Sequence, residues 1–238
     1  MKNHSQNGMN NSQSAEISNY VGKLLRDNFG KGPEGVYVSI GFTFITIYIR
    51  NFITPIERVL LEQKNLAYVE ETRDLVMTTI IPEIKANIYR ITGMEVMEFY
   101  YDWAMHNKSA TFVCICSDQT QSNQALQSTF HGKEKMVDEI IHISSMAQKA
   151  PEEISAYMLN NRTYVFIRNG ILVNIEKELI RDGFKENLKL AKRRLEKRYL
   201  HNNGHWEEYL NSKIIDIFVD WDFEIDKSIM LFITNPTK

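Results

Sequence analysis

Two arginine–asparagine pairs close β-patterned runs at matching places in the chain, Arg50-Asn51 and Arg168-Asn169. A guanidinium is a planar fork of donors suited to a carboxylate or phosphate, so with Lys31 these four residues form a candidate ligand-binding set. The same arginines have a structural use, as salt-bridge partners of the recurring Asp102 and Asp220 that would tie one hairpin to another. Ion pairs of that kind are common at sheet edges, and the salt bridge is the favoured reading.

Lys31 belongs to NFGKGPEGV, residues 28–36, where two glycines flank a lysine. A phosphate-cradling loop runs from a strand into a helix, whose N-terminus supplies the amides. Here a helix pattern comes first and a strand pattern after, so Gly30 reads as a helix stop with Pro33 just beyond it. Asp216, Asp220, Asp222, Glu224 and Asp226 have even spacing suited to one side of a strand, but they lack the glycine and fixed spacing of a calcium loop. A solvated hairpin face is expected instead. His201 and His205 have the spacing of helical zinc ligands, yet Asn202-Asn203-Gly204 breaks helices and no catalytic glutamate accompanies them. No nucleophile–base order, CxxC pair or dinucleotide fingerprint is present. These patterns assign no catalytic residue, no metal and no cofactor.

KLAKRRLEKR, residues 189–198, is the one local basic cluster. Leu188, Ala191, Leu195 and Tyr199 form the expected buried stripe, which leaves Lys189, Lys192, Arg193 and Lys197 on the wet face as a candidate partner surface. The corresponding stretch of the first half, TRDLVMTTII, is far more apolar. The two long helices are therefore expected to meet different surroundings.

The chain has 238 residues and a formal net charge of −2, which gives no global pull toward nucleic acid. Its two cysteines, Cys114 and Cys116, share one face of a strand, where a disulfide between them would be badly strained. Two core thiols in a reducing compartment are expected. The first 14 residues are rich in Asn, Ser and Gln, have no apolar core, and are expected to be a disordered tail. No apolar run reaches the length of a membrane span, so a cytoplasmic protein, at most peripheral to a membrane, is expected.

The chain repeats itself. GPEGVYVSIGFTFITIYIRN lies over APEEISAYMLNNRTYVFIRN, setting Pro33-Glu34 on Pro151-Glu152 and Ile49-Arg50-Asn51 on Ile167-Arg168-Asn169. Farther on, Asp102-Trp103 matches Asp220-Trp221, and Ile56-Glu57 matches Ile175-Glu176 after a one-residue slip. In each copy a helical pattern precedes two alternating strands. Next comes a helix start, in the first copy Thr54-Pro55 with Glu57 completing a capping box. A long helical region follows, with Pro82 expected to kink or break it, and two strands close the unit. Each unit is α-β-β-α-α-β-β, an α+β fold in which hairpins form an antiparallel sheet with helices on one face. The expected organisation is a tail over 1–14, a first unit over 15–118, a linker over 119–132 and a second unit over 133–238. Two such halves could also pack as a pseudo-dimer.

GKGPEGVYV, then ITPIE, then IPEIKANIYRITGMEV and a closing hairpin resemble the MpsC-like domain, a bacterial family named for a sodium-translocating, membrane-potential-generating system. The second unit resembles a diverged copy that keeps Pro151-Glu152 and Glu176 but not the glycines or the Thr-Pro. The resemblance implies an accessory or regulatory subunit; together with the duplication and the lack of a catalytic constellation it leads to the expectation of a non-enzymatic protein that binds a protein partner beside a membrane cation or bicarbonate transport system. The alternative is a small-ligand or anion sensor with its site between the repeats. A homo-oligomer is compatible with either.

Overall fold

In a computed structural model, which describes residues 2–117 and 129–235, the chain divides into two compact units, Met1–Gln121 and Ser122–Lys238. The first contains α1 (Lys2–Phe29), β1 (Gly35–Gly41), β2 (Phe44–Arg50), α2 (Pro55–Glu62), α3 (Leu66–Thr92), β3 (Val96–Ala104) and β4 (Ser109–Cys116). The second contains α4 (Lys133–Ala147), β5 (Glu153–Asn160), β6 (Thr163–Asn169), α5 (Asn174–Arg181), α6 (Lys185–Asn203), α7 (Trp206–Leu210), β7 (Ile214–Asp222) and β8 (Lys227–Thr234). Each unit holds one four-stranded antiparallel sheet, in the orders β1-β2-β4-β3 and β5-β6-β8-β7. The second hairpin of each unit is thus laid against the first through its later strand, and the fold is the α+β duplication expected.

Strand alternation selects the core. Ile45, Ile47 and Ile49 of β2, Phe112 and Cys114 of β4 and Tyr101 and Trp103 of β3 face the helices and pack on Ile17, Val21 and Leu25 of α1 and on Met77, Ile80 and Ile84 of α3. The second unit repeats the arrangement with Phe166, Val219, Trp221 and Phe232 under Met136, Ile140 and Leu200. In α1 the buried order is Ile17, Val21, Leu24, Leu25, and in α4 it is Met136, Ile140, Ile143, Ser144, so Ser144 occupies the place of Leu25.

The structure differs in detail from the pattern read in the sequence. The polar N-terminal segment is helical from Lys2 onward, in one piece with the amphipathic part of α1; Gln13 Nε2 donates to Ile91 O at 3.1 Å and Glu16 pairs with Arg90 at 2.7 Å. The long helical region is interrupted at Gln63–Asn65, and Pro82 lies inside an unbroken α3. Pro82 is exposed, so its ring and missing N–H fall on the open side of the helix. In the second unit a further break, at Asp182–Phe184, separates α5 from α6. Finally, the later part of the expected linker is packed: Phe130 sits 5.0 Å from the Tyr164 ring and 6.2 Å from that of Phe166. Residues 118–128 lie outside the described residues.

The alignment of the two copies also changes. In the first hairpin Gly35 is opposite Arg50 and Val36 opposite Ile49. In β5–β6 Glu153 is opposite Asn169 and Ile154 opposite Arg168. The backbone N–H of Glu34 donates to Arg50 O, whereas that of Glu152 donates to Asn169 O. Arg50 therefore corresponds to Asn169, and Arg168 to Ile49. The extra residue is in β5, whose register shifts between Met158 and Asn160. One residue of slip moves a strand's side chains to the opposite face. Arg168 consequently points where an isoleucine points in the first copy.

Candidate functional site

The first unit encloses a carboxylate–guanidinium pair, Glu57 and Arg73. Thr54 caps α2, its hydroxyl accepting from Glu57 N at 3.2 Å while Glu57 Oε2 accepts from Thr54 N at 2.8 Å. That box fixes the Glu57 carboxylate where α3 can reach it. Arg73 meets it with Nε on Oε1 at 2.7 Å and Nη2 on Oε2 at 2.8 Å, and Nη2 also donates to Phe52 O at 2.9 Å. The guanidinium lies 4.7 Å from the ring centres of both Phe52 and Trp103. Its remaining nitrogen, Nη1, is buried without a hydrogen-bond partner, against the rings. A forked ion pair and cation–π contacts are the two interactions that make an arginine tolerable in a dry core. Burial pushes the Glu57 carboxyl up, but Arg73 and the Thr54 cap outweigh it and hold it below its ordinary value.

The second unit rebuilds this pair with different chemistry. Val173 replaces the capping threonine and offers no side-chain acceptor, but Glu176 Oε2 still accepts from Val173 N at 3.0 Å. Lys192, as far along from Glu176 as Arg73 is from Glu57, donates to Glu176 Oε1 at 2.7 Å. Its ammonium lies 5.6 Å from the Trp221 ring centre. In the first unit Trp103 Nε1 donates to Asp74 Oδ1 at 3.2 Å, Asp74 being the residue after Arg73. The residue after Lys192 is Arg193, which has donors only. Trp221 Nε1 is accordingly buried without a hydrogen-bond partner.

Around Arg168 the second copy turns an apolar site polar. Arg168 Nε donates to Ser228 Oγ at 2.8 Å, Nη1 to Ser144 Oγ at 2.8 Å and Nη2 to Glu196 Oε2 at 2.7 Å. All four residues are essentially inaccessible to solvent. Ser228 is opposite Arg168 as Ala110 is opposite Ile49, and Glu196 follows Lys192 by the interval at which Met77 follows Arg73. The first copy thus has Ile49, Ala110, Leu25 and Met77 in the places of Arg168, Ser228, Ser144 and Glu196, all four buried. Gln148 joins the two pairs: its Nε2 donates to Glu196 Oε1 at 3.3 Å, and its Oε1 accepts from Lys192 Nζ. Two acids and two bases balance, and every Arg168 nitrogen has an acceptor.

The expected site residues fall in unlike environments. Arg50 and Lys31 are exposed; the Asn51 amide donates to Glu34 and that of Asn169 to Glu153 at 3.2 Å. Gly30 has a positive φ of 74°, and its N–H donates to Arg26 O at 2.9 Å, which closes α1. The proposed wet face of α6 is inverted: Lys192 and Arg193 are buried, Lys189 Nζ lies 2.8 Å from Asp220 Oδ1 without hydrogen-bond alignment, and Ala191 is exposed. Carboxylates waiting on the sheet and on α5 draw these cations inward. Arg194, Arg198 and His201 form the outer face instead, with Lys197 half-buried.

Of the acidic run, Asp216 and Asp220 are buried in β7, while Asp226 Oδ1 accepts from Ile171 N and Leu172 N, both at 2.8 Å. His201 donates from Nδ1 to Lys197 O at 2.7 Å, and the His205 ring lies 6.1 Å from that of Tyr209, tilted to it by 46°. Among the described residues no three His, Cys, Asp or Glu side chains are grouped to hold a metal. A pocket of about 360 Å³ at the start of α4 is lined by residues that include Thr129, His131, Lys133, Glu208 and Tyr209. Cys114 and Cys116 are free and buried, and burial pushes the Cys116 thiol up to about 11.

Two segments, residues 10–118 and 133–235, each match the family described as Na+-translocating membrane potential-generating system (MpsC). The chain belongs to the MpsC family. No curated protein and no solved structure matches it. The two MpsC copies coincide with the two compact units, and among the described residues no helix is long and apolar enough to cross a membrane. What the copies share inside is the helix-capping glutamate, a cation on the next helix and a tryptophan beneath it. The signal for this triad was in the sequence, as a glutamate and a basic residue at one recurring interval; the Arg-Asn recurrence drew attention to a coincidence one residue out of register.

Proposed function

We propose that this MpsC protein is a non-enzymatic accessory or regulatory subunit that works by binding other proteins beside a membrane cation or bicarbonate transport system. One observation carries the reading: the copies keep one internal scaffold while their outer helical faces diverge. The open side of α3 presents Tyr68, Leu75 and Tyr89, which are 63%, 71% and 59% exposed. The matching side of α6 presents Arg194, Arg198 and His201. A duplicated frame with unlike outer faces suits an adaptor that holds two unlike partners. The buried ion pairs support the same reading, because Glu57 with Arg73, Glu176 with Lys192 and Arg168 with Glu196 are each committed to an internal contact. An anion sensor that relies on Arg168 has less support, since its guanidinium is committed to Ser144, Ser228 and Glu196.

Crosslinking in the native cell followed by purification of the tagged chain tests the proposal. Recovery of a membrane transport component is expected. Repeated recovery of no membrane protein would overturn the membrane link.

A further inference from the structure

The open face of α3 has a pattern of its own. Tyr68, Leu75, Pro82 and Tyr89 recur at every seventh residue, and the smaller Thr72, Thr79 and Ala86 stand between them. All seven are exposed and none is charged. Such alternating steps of four and three residues are the spacing of a seam that packs against another helix at a shallow angle. A surface helix that needs only to be wetted has no reason to keep charge off one stripe for six turns.

We propose that this seam binds α3 of a second copy of the chain, with the two helices antiparallel. The alternation of size decides the direction. In a parallel pair each residue meets its own copy, so tyrosine would stand on tyrosine and leucine on leucine, with threonine layers left loose between them. In an antiparallel pair large positions meet small ones, which is how facing layers interdigitate. One register satisfies six of the seven positions: Tyr68 against the second copy's Ala86, Thr72 against its Pro82 and Leu75 against its Thr79, with the same three contacts repeated across the two-fold axis, while Tyr89 falls opposite Asn65 at the end of the second copy's helix. That register also sets the exposed Glu71 beside the second copy's Lys85, giving two opposite-charge contacts along the rim. Pro82, which lacks an N–H, lies in the seam and interrupts no contact made by side chains.

This inference goes beyond the accessory role above and stands whether or not a membrane partner exists. Sedimentation equilibrium of the full chain tests it. The expected species is twice the 27.8 kDa of the monomer, and Leu75→Glu should make it monomeric with an unchanged circular dichroism spectrum. Glu71→Lys should raise the dimer Kd several-fold, and adding Lys85→Glu should restore it. Thr78 lies beside the axis, facing its own copy, so Thr78→Cys should give a disulfide-linked dimer on mild oxidation. A monomer at every concentration, a dimer indifferent to Leu75→Glu, or a Thr78→Cys protein that does not crosslink would each overturn the proposal.

Discussion

Glu57 and Arg73 meet edge to edge through two hydrogen bonds, of 2.7 and 2.8 Å, inside the first unit. The pair joins the N-terminus of α2 to the first half of α3 and seats the guanidinium between Phe52 and Trp103. It is the element that the second copy preserves in altered form, and it accounts for where α3 sits on the sheet.

Removing one partner should be costly. Arg73→Met leaves the Glu57 carboxylate buried, and breaking a buried pair from one side typically costs about 3–5 kcal/mol. Urea denaturation should show that loss. Arg73→Lys, which copies the second unit, should lose less because an ammonium still neutralises the carboxylate, although it gives up the fork and much of the ring stacking.

The pH dependence follows from the direction of the Glu57 shift. Its carboxyl is held below the ordinary value of 4.5 in the folded state, so the unfolded chain binds the proton more readily. The resulting stability is fully present above the unfolded value and is lost as pH falls through the folded one. The stability difference between wild type and Glu57→Gln should hold steady from about pH 8 to about pH 5 and shrink below about pH 4. A difference that grows on acidification would contradict this.

The Arg168 cluster predicts non-additivity. Arg168→Ile alone strands Glu196 and should destabilise the chain by about 3–5 kcal/mol. Combining it with Glu196→Met, Ser144→Leu and Ser228→Ala installs the first copy's residues at all four places. That variant should be near neutral, or more stable by about 1–4 kcal/mol, because both charges of the Arg168–Glu196 pair are gone and neither is left to desolvate. Stepwise additive losses would show that the four positions do not form one unit.

Cys114 and Cys116 should resist thiol reagents in the native protein. Both are buried, and burial holds the Cys116 thiol near 11, so little thiolate exists at neutral pH. Modification should appear only with unfolding, at rates that follow denaturant concentration.

The fold was legible because its signals are local. Ile45, Ile47 and Ile49 alternate, Thr54 and Glu57 write a capping box, and Asp102-Trp103 recurs as Asp220-Trp221. The inversion of α6 was not legible, because Lys192 and Arg193 look like a wet face until the carboxylates facing them are placed by other elements. Hydropathy alone carries no record of Glu176 waiting on α5. The environment of Arg168 was hidden by one residue: the bulge at Leu159 changes the register, and a match of letters between Arg50 and Arg168 survived although their faces do not correspond. Pro82 misled in the other direction, since a proline on the open side of a long, well-packed helix need not break it.

Divergent outer faces on a repeated frame are the centre of this account, and the basic face of α6 tests it most directly. Arg194→Glu/Arg198→Glu alters exposed residues and should leave the fold unchanged. Quantitative mass spectrometry after crosslinking in native cells should recover a membrane transport component with the wild-type chain and lose most of it with this variant. Equal recovery by both, or recovery by neither, would contradict the account.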